Sequence, residues 1–467
     1  MAKGPFLSRE DFKTCFNLFC CIYGIGTLGM PGNFARAGPT LACFALAFMA
    51  FANTYSSITM SKVMLLAPRS VNTFGDLGEW SMGKTGRYLC VLSQMGSCLL
   101  VPCVFLILGG QLLDGGSGAA FAGCFGTILA DIIGVSVVMY GMRGHPSVPF
   151  PELKFEQVAN MFGNLSLAYG AGIIIPDLQR QHSDPSRMPR IVGITVIFVS
   201  CLFLILSSTT YSAIGCQISG NLLFTIYPDS ATGMTSLGFK PRWGVVIMAY
   251  LFMQLHIIIA FSVILNPAFY IAKRLLLGMH KKTDLEIENG VGFEESATPA
   301  ELLSKQSDPC NVSVNRPPRR SSKISFVSLA DSERVHKDDK EADAAEYTGS
   351  NVFKYAALRI IIVVILVMVA IVFKDHFSDF IGAFCITTNC ILLPIVFYFK
   401  KAWERVSMYE KAAGSIVLFV CLVLGCYVTY TTGKELFFPT DNGADFPFCD
   451  SEYENKVYYN YTAVHES

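Results

Sequence analysis

Apolar residues in this chain come in blocks of about 20, the length a helix needs to cross a bilayer core. The first block is interrupted by Gly24-Ile25-Gly26-Thr27-Leu28-Gly29-Met30-Pro31. The blocks confine the backbone to helices, because hydrocarbon offers no partner for a free N–H or C=O. The interruption strains that rule. Glycine and proline weaken the helical ladder, so broken backbone persists only when buried in protein or lining a wet cavity. Two readings are open for such a stretch. One is a glycine-rich packing face with a proline kink; the other is a substrate site of the kind that discontinuous spans form in secondary transporters.

Composition agrees with the blocks. Of 467 residues, 52% are hydrophobic and only 15% charged, against about a quarter charged in soluble domains. The chain reads as an all-α polytopic membrane protein. Its formal net charge of +0 gives no reason to expect nucleic acid or an acidic partner. Most of the 16 cysteines sit singly in apolar segments and have no zinc-site spacing. Cys216 and Cys449 fall in loops placed outside by the reasoning below, where one disulfide can form. No metal-ligand pair or nucleophile–base motif stands out, so neither an enzyme nor a cofactor is expected.

Residues 1–14 carry Lys3, Arg9, Asp11 and Lys13 and fit a cytosolic N-terminus with no cleavable signal peptide. The membrane core runs over residues 15–272, with segments at about 15–37, 40–60, 88–113, 119–141, 158–178, 191–216 and 243–272. The segment at 158–178 repeats the opening pattern, with Ala168-Tyr169-Gly170-Ala171-Gly172 breaking it and Pro176-Asp177 closing it. Residues 273–350 are rich in Ser, Pro and charge, lack an apolar period, and are expected to be a disordered cytosolic loop. Three spans follow within residues 351–432, which makes ten visible spans, and residues 433–467 form an acidic, aromatic tail.

Lys and Arg mark the cytosolic side at 61–87, 179–190, 273–350 and 400–411. The tail then lies outside or in a lumen, as the sequon Asn460-Tyr461-Thr462 requires if it is glycosylated. The two halves do not join. An even number of crossings should separate Leu113 from Val158, and only the segment 119–141 is there. That segment is re-entrant, or the arginines near Arg180 mislead, or one span is missing; the last is favoured.

Asn17, the string Gly24 to Pro31, Ala35 and Gly38 resemble the first-span signature of the amino acid/auxin permease family. Phe74-Gly75-Asp76-Leu77-Gly78-Glu79, Ile175-Pro176-Asp177-Leu178-Gln179, Asn266-Pro267 and Phe380-Ile381-Gly382 resemble later motifs of the same family, in register. The resemblance implies a LeuT-like five-plus-five inverted repeat with broken first and sixth spans. It also implies an amino-acid substrate and coupling to protons or sodium. The absent crossing then corresponds to the family's fourth span, between Leu113 and Ala119. The sodium-using branch carries an Asn three residues after the position of Asn17; Cys20 stands there, a poor ligand for a hard cation, which favours protons.

On this basis the expected function is proton-coupled symport of neutral amino acids in the plasma membrane or a vacuolar or lysosomal membrane. The alternative is an amino-acid-binding sensor without net transport. The expected substrate residues are Gly24, Gly26, Thr27 and Gly29 on the first break and Ser166, Ala168, Tyr169 and Gly170 on the second. Tyr169 either covers the substrate or fills the core. His256 and Asp131, lone titratable groups at bilayer depth, are proton-coupling candidates, with interhelical hydrogen bonding as the plainer role for His256. Asp177 is a gate candidate or half of a surface pair with Arg180, Asn460 a glycosylation candidate, and Ser322 a phosphorylation candidate behind Arg319-Arg320.

Overall fold

The structure, a computed structural model, describes residues 6–24, 26–68, 70–109, 117–218, 220–277, 350–373, 376–438 and 444–465. Most of the loop expected at 273–350, with Ser322, lies outside the described residues, although Lys273–Leu277 continue the preceding helix as a wide turn.

Eight helices among the described residues are long and apolar enough to cross a membrane, and Phe125–Gly141 is a shorter apolar one. The chain is an integral membrane protein. Its apolar surface agrees: Ile360, Ile361, Val364, Ile365 and Met368 are each more than half exposed, which only a lipid surround makes favourable.

The first crossing is in two pieces, α1 (Arg9–Ile22) and the start of α2 (Gly26–Leu66). At 41 residues α2 is about 60 Å long, twice a bilayer core, and it bends at Gly38. There φ is +70°, a value glycine reaches without cost, and Pro39 follows. The first leg therefore runs out and the second returns. A short α3 (Phe74–Met82) precedes α4 (Lys84–Gly109), then α5 (Ser117–Gly141). The second broken crossing is α6 (Phe155–Ala168), a tight turn at Gly172–Ile174, and α7 (Ile175–Gln181). Then come α8 (Met188–Ile214), the short α9 (Leu222–Thr225), α10 (Trp243–Ala272) and α11 (Ser350–Val372). The next crossing starts as α12 (Phe377–Ile381), widens into a π-helix over Gly382–Leu392, and ends as α13 (Leu393–Ala402). The last is α14 (Met408–Phe437), followed by the small α15 (Tyr461–His465) in the tail.

A disulfide between Cys216 and Cys449 ties the end of α8 to the tail. Such bonds persist outside the cytosol, which fits the outer or lumenal placement expected for this end of the bundle. The start of α8, about 40 Å away, is then cytosolic.

These ends fix the helix directions. Phe74 packs on Phe397 and Lys401 lies over Trp80, so α3 and the start of α4 sit at the cytosolic end with the end of α13. Farther along α4, the Cys103 thiol donates to the Leu366 carbonyl, in the outer part of α11. In α5, Gly134 abuts Leu222, Gly141 abuts Phe239, and Arg143 just beyond stacks on Tyr461 of the tail. Both helices thus run outward. Only residues 110–116 connect them, and seven residues reach at most about 25 Å, short of a core about 30 Å thick. The conflict expected from charge counts is therefore present in the helix directions as well.

Glycines set the closest helix contact. A Cβ on Gly382 would lie 1.8 Å from the Gly163 carbonyl oxygen, and one on Gly163 would lie 2.1 Å from that of Asp379. Gly382→Ala must therefore push α6 and the π-helix apart. It is expected to cost about 1–3 kcal/mol and to lower the melting temperature of the purified protein in detergent. Gly244→Ala, where nothing lies within 4 Å, is the control and should leave it unchanged.

Candidate functional site

The two breaks meet. A Cβ added to Gly26 would lie 2.8 Å from the Ala168 Cα, and one on Gly29 would lie 2.7 Å from Asn164 Nδ2. Only residues without side chains allow this approach, which gives the glycines a steric reason. At the first break α1 ends with the Tyr23 N–H donating to the Phe19 carbonyl, and α2 begins after Gly24. At the second, α6 ends at Ala168 and the chain turns tightly through Tyr169 to Ala171. Each break satisfies part of its own backbone, the Thr27 N–H donating to the Gly24 carbonyl, the Tyr169 N–H to that of Ser166 and the Gly170 N–H to that of Leu167; the helix ends that meet there carry opposed partial charges.

Both titratable candidates are at the first break. The Thr27 hydroxyl donates to Asp131 Oδ1 at 3.3 Å, and the Tyr23 side chain also hydrogen-bonds this carboxyl. Asp131 is 3% exposed, and its Oδ2 has no hydrogen-bond partner of good geometry. His256 of α10 lies against the other face, its Nε2 2.8 Å from where a Gly24 Cβ would be. Residues from α5 and α10, 104 or more positions from the break in sequence, thus converge on it.

The second break is held differently. Ser166 is buried and accepts from the Thr387 hydroxyl of the π-helix at 3.0 Å. The Tyr169 hydroxyl pairs with Ser200 Oγ of α8 at 2.6 Å, and its ring meets Phe203 edge-on. Phe203 also stacks with Tyr23, which stacks with Phe19. These rings join the breaks through a shared aromatic wall. Gly170 sits beside Ile386.

An ion pair lies at each end. On the outer side Arg36 Nη1 is 2.8 Å from Asp379 Oδ2 and joins the first leg of α2 to α12. On the cytosolic side the buried Asp11 carboxylate receives Arg187 Nη2 at 2.6 Å and lies 3.1 Å from His182 Nε2. The Ser8 backbone N–H donates to it at 2.7 Å, and Glu10 accepts from the Ser183 backbone N–H at 2.9 Å. Together these fasten the start of α1 to the loop after α7. Arg180 donates to the carbonyls of Ala67, Pro68 and Val71. Asp177 stands in the first turn of α7, and Asp11 of α1 adds a second carboxylate at this end, held by Arg187. Arg36 and Asp11 were not singled out from sequence. Arg36 did carry a signal, as a charge inside an expected span.

Asn460, on the disulfide side, is half-buried; its Oδ1 accepts from the Ala463 N–H and caps α15.

A family described as "Transmembrane amino acid transporter protein" matches residues 11–119 and 116–435 of this chain. The junction of the two stretches falls at the start of α5. Amino acid transporter AVT3A of Arabidopsis thaliana is 24% identical over 326 residues, 58% of this chain and 70% of that protein. AVT3B of the same plant is 22% identical over 324 residues, 59% of this chain and 74% of that protein. Amino acid transporter AVT1I, also from that plant, is 37% identical over 106 residues, 23% of this chain and 26% of that protein.

The cytosolic latch has a defined pH response. Burial pushes Asp11 up, but hydrogen bonds from Ser8 and Arg187 outweigh it and hold the carboxyl below its ordinary 3.8. Hydrogen bonds from Ser183 hold Glu10 below its ordinary 4.5. Groups depressed in the folded protein contribute fully above their ordinary values and lose that contribution as pH falls through the lowered ones. Hydrogen exchange of residues 9–15, corrected for its intrinsic pH dependence, is therefore expected to keep its carboxylate-dependent protection from pH 8 to 5. That protection should fail only below about pH 4. Arg187→Ala should lower it at every pH in that range, by about 2 kcal/mol because Arg187 is partly exposed.

Proposed function

The chain belongs to the transmembrane amino acid transporter protein family, and from that premise we propose that it moves a neutral amino acid together with a proton by alternating access. The observation that carries this reading is the apposition of the two breaks, Gly26 against Ala168, with Asp131 and His256 at the first of them. A zwitterion needs an anion site and a cation site close together. The N–H groups that open α2 suit its carboxylate, and the carbonyls that end α1 and α6 suit its ammonium. The aromatic wall of Tyr23, Tyr169 and Phe203 is where an uncharged side chain would pack. In this reading the site is bounded by Gly24, Gly26, Thr27, Gly29, Ser166, Ala168, Tyr169 and Gly170.

Asp131 is the group we assign to the proton. An ionised carboxylate at this depth is costly, and its nearest partners, Thr27 and Tyr23, are neutral. Protonation discharges it, and Thr27 connects it directly to the backbone that binds substrate. Proton and amino acid thereby act on one element, which coupling requires. His256, across the same break, is the second proton-coupling candidate. The Arg36–Asp379 pair closes the outer side and the Asp11 latch the cytosolic side; opening either one exposes the breaks to that side. We further propose a five-plus-five inverted-repeat scaffold from which one span is missing between α4 and α5, as their common direction and the divided family match suggest.

Uptake of labelled neutral amino acids into proteoliposomes tests this. An inward proton gradient is expected to drive accumulation that a protonophore abolishes. Asp131→Asn should remove the gradient's effect at least tenfold while leaving amino-acid exchange. Accumulation unchanged in Asp131→Asn would remove that residue from coupling, and binding without accumulation in any condition would support a sensor instead. A variant carrying an added apolar span between Leu113 and Ala119 should transport faster; equal rates would contradict the missing-span reading.

A further inference from the structure

The tail beyond α14 is built into the outer face of the bundle. Cys449 is bonded to Cys216. Gln217 donates to the carbonyls of Tyr453 at 3.1 Å and Lys456 at 2.6 Å and accepts from the Tyr458 N–H at 3.1 Å. The Tyr458 hydroxyl donates to the Ala213 carbonyl at 2.6 Å. These contacts fix the tail to the end of α8. A second set fixes it to the segment before α6, where the Glu152 N–H donates to the Phe448 carbonyl at 3.1 Å and Pro151 pairs with Cys449. Pro151 in turn packs on the Gly38 bend of α2.

Phe448, next to the disulfide, uses this placement. Its ring centre is 5.2 Å from the Arg36 Cζ. The Arg36 guanidinium therefore lies between an aromatic face and the Asp379 carboxylate, which is 1% exposed. Gln157 of α6 donates to the Arg36 backbone carbonyl at 3.2 Å. An aromatic face attracts a guanidinium and restricts its rotamers, so Phe448 favours the conformer that reaches Asp379.

We infer that Phe448 is a positioning residue for the outer closure, and that the disulfide-anchored tail is a strap that sets how readily this side opens. The inference rests on the alternating-access reading for its functional meaning, but its physical content does not. Weakening the strap raises the fraction of molecules open on the outer side. Apparent affinity for a solute arriving from that side rises by the same factor, because binding is divided by the fraction of competent molecules.

Hydrogen exchange of the full chain in nanodiscs tests this on peptides covering residues 26–37 and 377–381, for wild type, Phe448→Leu, Phe448→Tyr and Cys449→Ser. Phe448→Leu is expected to speed exchange in both peptides by about two- to fivefold, the range of a weak cation–π contact, and Cys449→Ser to speed it at least as much. Phe448→Tyr, which keeps the aromatic face, should match wild type. Exchange at residues 9–15, on the cytosolic side, should not change in any variant. The inference is overturned if Phe448→Leu leaves both peptides unchanged, if Phe448→Tyr behaves like Phe448→Leu, or if exchange rises equally throughout the protein. Uptake measured on the same samples should show a lower half-saturating concentration from the strap side for Phe448→Leu. If no variant transports, the transport reading falls while the exchange data still decide the strap.

Discussion

Everything in this structure depends on how a membrane treats unpaired backbone. Hydrocarbon penalises each free N–H or C=O by several kcal/mol, so one broken span would be a liability by itself. Here two broken spans face each other: Gly26 lies against Ala168, and Gly29 lies against Asn164. The exposed helix ends are thereby removed from lipid. The same arrangement concentrates partial charges of both signs in a small space, which suits a zwitterion better than an ion of one sign.

The surroundings complete this arrangement in layers. Asp131, Thr27 and His256 put titratable and polar groups against the first break. Ser166 with Thr387, and Tyr169 with Ser200, fix the second break to neighbouring helices. Beyond them lie charge pairs of different design, one toward each end. The outer one joins two helices and is covered by the aromatic ring of the tail. The cytosolic one fastens the start of α1 to a loop through several hydrogen bonds to Asp11 and Glu10.

Glycine and isolated charge made part of this legible in the sequence. The glycines at 24, 26 and 29 marked either a packing face or a break, and Asp131 and His256 were conspicuous at bilayer depth. The bend at Gly38-Pro39 and the outside placement of Cys216 and Cys449 followed from local chemistry as well. What could not be read was pairing across long separations. Arg36 and Asp379 are 343 residues apart, and nothing local to Asp11 points to Arg187. Tyr169 left two roles open; its hydrogen bond to Ser200 points it toward α8. The parity conflict was legible because charge counting needs no contacts, and the common direction of α4 and α5 gives it a structural form.

The central claim is that an amino acid sits between the two breaks. The most direct measurement is a cryo-electron microscopy map of the protein in nanodiscs, saturated with a neutral amino acid that it transports. The account predicts density bounded by Gly24, Gly26 and Thr27 on one side and Ala168 to Gly170 on the other, absent from a map without amino acid. Ligand density elsewhere in the bundle, with the space between the breaks unchanged, would contradict it.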